Sequence, residues 1–217
     1  MNIEQARFNM IEQQIRPWEV LDQGVLSLLS DVHREDFVPP AYRALAFVDT
    51  EVPLPEGQRM LAPKIEARLL QELRLTGQER VLEVGTGSGH MAALLGRMAR
   101  SVTSVEIRPA LAACARDNLR RTGLANVTVR EGNGSTGQPA EAPFDVILLS
   151  GSVAKVPDGL LAQLALGGRL AAIVGHEPVM HAVLITKVAE AQFKRVELFD
   201  TVAPRLDGFP EPTRFAF

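Results

Sequence analysis

Residues Arg80 to Met98 read RVLEVGTGSGHMAALLGRM. A strand-like apolar run meets Gly85, Gly87 and Gly89, and an alanine- and leucine-rich segment that reads as helix follows at once. In open α/β sheets the ligand lies beyond the carboxyl ends of the strands, where the first strand turns into the first helix. Glycines at that turn let the backbone approach the ligand and take up torsions closed to other residues. The stretch therefore predicts a nucleotide-type site carried by a parallel sheet.

Downstream of this loop, short apolar runs alternate with helical segments. SVTSVEI, VTVREG, FDVILLS and GRLAAIVG read as further strands, with helices between them. VLITKVAE and RVELFDTVAP add two more, including an antiparallel pair, and the final RLDGFPEPTRFAF reads as coil. Upstream, VLDQGVLSLLSDV has apolar positions at helical spacing, and Pro39 and Pro40 interrupt the pattern. LAPKIEARLLQEL reads as an amphipathic helix opening at Pro63, a residue suited to a first turn. The expectation is α/β: a largely parallel seven-stranded sheet in residues 76–217, with a helical cap in residues 1–75.

The acids around the glycines choose among ligands. A dinucleotide site wants G-x-G-x-x-G, with a pyrophosphate on the helix N-terminus. Here Glu83 stands two residues before Gly85, and the third glycine comes one residue early, giving E-x-G-x-G-x-G. A carboxylate beside the cleft suits a ligand bearing a sulfonium and an ammonium, and opposes a pyrophosphate. Glu106, at the end of the second strand with Ile107 after it, can accept both ribose hydroxyls of an adenosine ligand. After the third strand, Asn133 and Gly134 lie in a glycine-rich turn suited to the adenine edge.

The glycine pattern resembles motif I of the class I S-adenosylmethionine-dependent methyltransferases, a Rossmann-like fold. The flanking segments resemble one family within that class, the protein-L-isoaspartate O-methyltransferases. The N-terminal MIEQQIRPWEVLDQGVLSLLSDVHREDFVPPAYRALAFVD carries the likeness, as does GQRMLAPKIEARLLQEL. So do EGNGSTGQPAEAPFDVILLSG, VPDGLLAQLALGGRLAAIVG and the late VAPRL, over roughly residues 8 to 206 in all. The resemblance implies S-adenosyl-L-methionine as methyl donor, held by Glu83, Gly85, Thr86, Gly87, Ser88, Gly89 and His90, with Glu106, Ile107, Asn133 and Gly134. It implies isoaspartyl-containing proteins as acceptors, methylated on the α-carboxylate. The ester then closes to a succinimide that can reopen as aspartate. The family's G-Q-T-I-S-x-P segment reads Gly57-Gln58-Arg59-Met60-Leu61-Ala62-Pro63 here. Arg59 replaces the usual threonine and Leu61 the serine associated with the active site. His90 stands where a tyrosine is more common, and Asn133 where an aspartate is usual. Arg59 could pair with the acceptor carboxylate in place of the lost hydroxyl. The altered mouth leaves two other readings open: methylation of a different carboxylate or small molecule, and donor binding with little catalysis.

Bulk properties exclude other classes. The net charge of −3 gives no electrostatic footprint for nucleic acid or an anionic membrane. No apolar run approaches the roughly 20 residues that span a bilayer, and the N-terminus lacks the apolar stretch of a secretory signal. The single cysteine, Cys114, excludes an internal disulfide framework and suits the cytoplasm, and its helical context predicts a small packed side chain. His176 and His181 are spaced wrongly for a zinc helix, so HEPVMH reads as a surface loop and no metal site is expected. The basic RDNLRRTG closes a helix, where positive charge favours the helix dipole. After the fourth strand LLSGS lacks the Asn/Asp-Pro-Pro-aromatic segment of exocyclic-amine methyltransferases, which disfavours adenine N6 as acceptor.

Overall fold

In the computed structural model, which describes residues 2–211, the chain forms one seven-stranded sheet. The strands are β1 (Arg80–Val84), β2 (Ser101–Glu106), β3 (Val127–Glu131), β4 (Phe144–Val153), β5 (Leu164–His176), β6 (Val179–Ala189) and β7 (Gln192–Thr201). Their order across the sheet is β3-β2-β1-β4-β5-β6-β7. The first five run parallel, and β6 and β7 return as an antiparallel meander. The central strands are buried on both faces, as parallel strands covered by helices must be. Period-two alternation divides them between two cores. Val81 and Leu148 face one core, and Leu82, Ile147 and Leu149 face the other. The outer strand β7 is mostly exposed and carries Lys194, Arg195 and Glu197, charges that guard an open edge.

Upstream of the sheet lie α1 (Ile3–Met10), α2 (Gln23–Asp31) and α3 (Pro63–Leu73), the last two where the spacing predicts them. Asn2 and Asp22 cap α1 and α2 with side-chain oxygens, and Pro63 occupies the first turn of α3. Pro40–Phe47 tightens into a 3-10 stretch at the predicted interruption. Ile15, Leu29 and Leu69 of this region share a core with Val81 of β1 and with Leu94. A short two-stranded ribbon, Val52–Pro53 against Arg59–Met60, turns the chain back towards α3.

The crossovers contain α4 (His90–Met98), α5 (Pro109–Arg121) and the short α6 (Asp158–Ala162). Between β3 and β4 the expected helix is absent. Two 3-10 turns, Gly134–Thr136 and Pro139–Glu141, replace it in a stretch too rich in glycine and proline to hold an α-helix. Arg120 and Arg121 fall in the last turn of α5 as the charge pattern predicts. Cys114 departs from expectation: it is exposed, because the buried stripe of α5 runs through Leu111, Ala112, Ala115, Asn118 and Leu119 and leaves it outside. His176 ends β5 and His181 lies within β6, so the two belong to a hairpin rather than a surface loop alone. Of the C-terminal coil reading, residues 212–217 lie outside the described residues.

Candidate active site

The carboxyl ends of β1, β2 and β4 open on a cleft. Gly85, Gly87, Glu106, Ile107 and Gly134 line it, together with Val84, Val105 and Leu111. Gly85 and Gly87 both have positive φ, at 95° and 54°, so the loop needs a backbone that other residues adopt at a cost. Gly134 is required for a different reason. A Cβ there would lie 2.3 Å from Val84 Cγ1, so the turn after β3 can approach β1 only without a side chain.

Glu106 is buried, and its carboxylate is aimed by the backbone. Oε2 accepts the Gly87 N–H at 2.8 Å and Oε1 accepts the Arg108 N–H at 3.0 Å. Each oxygen keeps lone pairs for a further donor, the arrangement that a vicinal diol requires.

Glu83 is placed differently from the sequence expectation. It does not line the cleft but lies fully buried beneath it, accepting Ser104 Oγ at 2.6 Å and Ser150 Oγ at 2.7 Å. Ser150 does line the cleft, so Glu83 meets it through one hydroxyl. Burial pushes the Glu83 carboxyl up to about 7, against the two serine hydrogen bonds, and neighbouring Glu66 and Glu106 add to the rise.

Thr86, Ser88 and Gly89 shape the loop without facing the cleft: Thr86 hydrogen-bonds Ser104, Asn118 caps the Ser88 carbonyl at 2.8 Å, and Gly89 precedes α4. His90 is also turned away from the cleft. Its Nδ1 meets Glu66 Oε2 at 2.9 Å and its ring packs edge-on against Phe37. Glu66 in turn binds Arg34, whose Nη2 donates to the Leu61 carbonyl at 2.7 Å. Burial raises the Glu66 carboxyl, but Arg34 and His90 outweigh it and hold the group below the usual carboxylate range. Asn133 is exposed, accepts the Ser135 N–H and donates weakly to Gly208, so it caps the turn rather than lining the cleft.

Two chain segments roof the cleft. Leu54, Gln58 and Arg59 come from one side, and Pro204 to Asp207 from the other. The Leu206 side chain reaches over Gly85. Main-chain bonds fix this strap to β4: Ser152 N–H to Pro204 O at 2.7 Å, and Leu206 N–H to Ser152 O at 2.9 Å. Arg108 joins both sides, donating to Glu56 at 2.9 Å and to Asp207 at 2.6 Å.

The model of one family, protein-L-isoaspartate(D-aspartate) O-methyltransferase, matches residues 5–202. The chain belongs to this family. The protein-L-isoaspartate O-methyltransferase of Rhodopseudomonas palustris is 41% identical over 207 residues, covering 94% of this chain and 95% of that protein. That of Koribacter versatilis is 39% identical over 194 residues, covering 89% and 87%. A solved protein-L-isoaspartate O-methyltransferase superposes with a TM-score of 0.81 at 25% identity, over 93% of this chain and 66% of that one. A Plasmodium falciparum structure described as a putative member, in complex with S-adenosyl-L-homocysteine, shares the fold with a TM-score of 0.76 at 22% identity, over 95% and 99%.

Within this isoaspartyl methyltransferase chain the two mouth positions part company. Arg59 stands on the rim of the cleft, more than half exposed, with Glu51 as an ion-pair partner at 3.6 Å. Leu61 is buried in the core and is not among the residues that line the cleft, so it does not occupy the mouth as its place in the motif suggests. Strand alternation ends at Met60, which is buried; Leu61, beyond the ribbon, is buried too, and Arg34 holds its carbonyl beside the buried Arg34–Glu66–His90 group. The sequence reading overlooked that group, along with Ser150, Arg108 and the 204–207 strap. Only VAPRL, at the strap, gave any signal.

Proposed function

We propose that this chain transfers a methyl group from S-adenosylmethionine to the α-carboxylate of L-isoaspartyl residues in damaged proteins. The observation that carries the reading is the family match over residues 5–202, which takes in the strand-end loops of the donor cleft and the Gln58 and Arg59 that roof it. The residues present fit the donor. Glu106 offers both carboxylate oxygens where a ribose would lie, and Val105, Ile107 and Leu111 offer an apolar slot for an adenine face. Gly85, Gly87 and Gly134 leave the backbone open, and Ser150 relays the charge of Glu83 towards a cationic methionine end. Thr86, Ser88, Gly89, His90 and Asn133 support the loop from behind. S-adenosylhomocysteine bound to the Plasmodium relative accords with this assignment.

The donor supplies an electrophilic methyl carbon. An acceptor carboxylate is already ionised near neutral pH, so no residue has to remove a proton. What the protein supplies is approach in line, with water excluded. Residues 1–75 act as the acceptor-side cap, and the strap from Pro204 to Asp207 completes the roof. Arg59, on the rim, meets the incoming peptide. The single cysteine supports a reducing compartment such as the cytoplasm.

The buried Leu61 favours a second reading, in which the same cleft serves a different carboxylate. Labelled S-adenosylmethionine with a matched pair of isoaspartyl and aspartyl peptides separates the two. Label confined to the isoaspartyl peptide is the expected result. Donor binding with neither peptide labelled favours the second reading.

A further inference from the structure

A second cavity, an open groove, lies beside the donor cleft. Arg59, Pro204 and Arg205 line both, so the groove opens on the cleft at these residues. The groove also carries His176 at the end of β5, and two acids, Glu51 and Glu177. Arg59 is loosely held. Arg205 is not: its main chain bridges to Ser152, and its guanidinium donates through Nη2 to the Gly175 carbonyl at 2.9 Å. Nη1 is buried and has no hydrogen-bond partner among the described residues. A guanidinium fixed in this way at a cavity junction is a fork with spare donor capacity, suited to a carboxylate.

A carboxylate already stands there. Glu211, from the chain's own C-terminal stretch, places Oε1 at 2.9 Å from Arg205 Nε and Oε2 at 3.3 Å from His176 Nε2. We propose that Arg205, flanked by His176, is the anchor for the acceptor's carboxylate at the junction of groove and cleft, and that Glu211 holds its place until the peptide arrives. The proposal deepens the isoaspartyl reading and rests on it. It moves the recognition of the acceptor from position 61, which is buried, and from the loosely paired Arg59, to the strap.

The consequence is a pair of effects of opposite sign. Arg205→Gln removes the anchor and raises KM for the isoaspartyl peptide roughly 10- to 100-fold, the value of a charge-assisted pair. Arg205→Lys keeps the charge and loses the fork, and falls between the two. Glu211→Gln removes the competitor and lowers KM severalfold. Thermal unfolding of all three variants reports that the fold is intact, and because Arg205 also lines the donor cleft, KM for the peptide is read at saturating S-adenosylmethionine. A tether that merely fastens the C-terminal stretch would give Arg205→Gln and Glu211→Gln the same sign, and that result overturns the proposal.

Peptide binding in the presence of S-adenosylhomocysteine, measured by fluorescence anisotropy on all four proteins, distinguishes the two readings. The probes are an isoaspartyl peptide and the same peptide with that carboxylate amidated. If the wild type methylates the isoaspartyl peptide but neither KM nor binding responds to Arg205, the anchor fails and the function stands. If the wild type methylates nothing, yet Arg205 and Glu211 still control binding through the free carboxylate, the anchor stands and the isoaspartyl activity fails.

Discussion

Replacing Glu83 by glutamine tests the electrostatics beneath the donor cleft. The carboxyl is fully buried, and burial moves it from an ordinary value of 4.5 up to about 7. The folded protein therefore holds this proton more tightly than the unfolded chain does. The stability that the group contributes is fully present below about 4.5 and is lost as pH rises through about 7. A shift of this size corresponds to roughly 3 kcal/mol, at about 1.4 kcal/mol per tenfold. Glutamine cannot ionise, so Glu83→Gln escapes that loss while keeping an oxygen to accept from Ser104 or Ser150. Urea denaturation of both proteins between pH 4.5 and 8.5 is the assay, and other titrating groups cancel in the difference. The wild type should lose roughly 3 kcal/mol relative to the variant across the window. A difference that stays flat with pH refutes the reasoning, because it means that the carboxyl titrates in its ordinary range despite burial. S-adenosylmethionine affinity adds a second readout: a cationic ligand above Ser150 favours the ionised form, so affinity should rise with pH in the wild type and lose that slope in Glu83→Gln.

Gly134→Ala should cost roughly 1 to 3 kcal/mol and weaken donor binding, because the new Cβ meets Val84 at 2.3 Å; thermal unfolding and calorimetry check both. Glu106→Gln should weaken donor binding roughly 10- to 100-fold and cost roughly 1 to 3 kcal/mol of stability, as one oxygen of the backbone-aimed carboxylate becomes a donor facing a backbone N–H; calorimetry and thermal unfolding check both. Restoring the family's serine by Leu61→Ser should cost roughly 2 to 4 kcal/mol and leave turnover no higher, because the side chain sits in the core; a rise in kcat would return position 61 to the mouth.

Legibility followed the scale of the physical signal. The parallel strands were readable because burial on both faces forces continuous apolar runs such as Val81–Val84 and Val146–Leu149. The glycine loop was readable because positive φ and close approach admit few other residues. Glu106 was readable because its place at a strand end follows from topology alone. What failed was side-chain direction. Glu83 and Leu61 lie near the cleft in sequence, but one is held beneath it by Ser104 and Ser150, and the other packs into the core beyond the ribbon with its carbonyl held by Arg34. His90 reads as part of a ligand loop, yet Glu66 and Arg34, from distant segments, claim it. Such partners are set by tertiary packing, and no local pattern announces them. The strap at 204–207 escaped notice for a related reason: an irregular segment has no period to reveal which residues face inward.

The most direct measurement follows repair itself. An isoaspartyl peptide is incubated with the protein and S-adenosylmethionine over many turnovers, and the aspartyl peptide is quantified by chromatography. The account predicts aspartyl product that accumulates only with both donor and protein present, accompanied by S-adenosylhomocysteine. Isoaspartyl peptide recovered unchanged, from a protein that binds the donor, would contradict it.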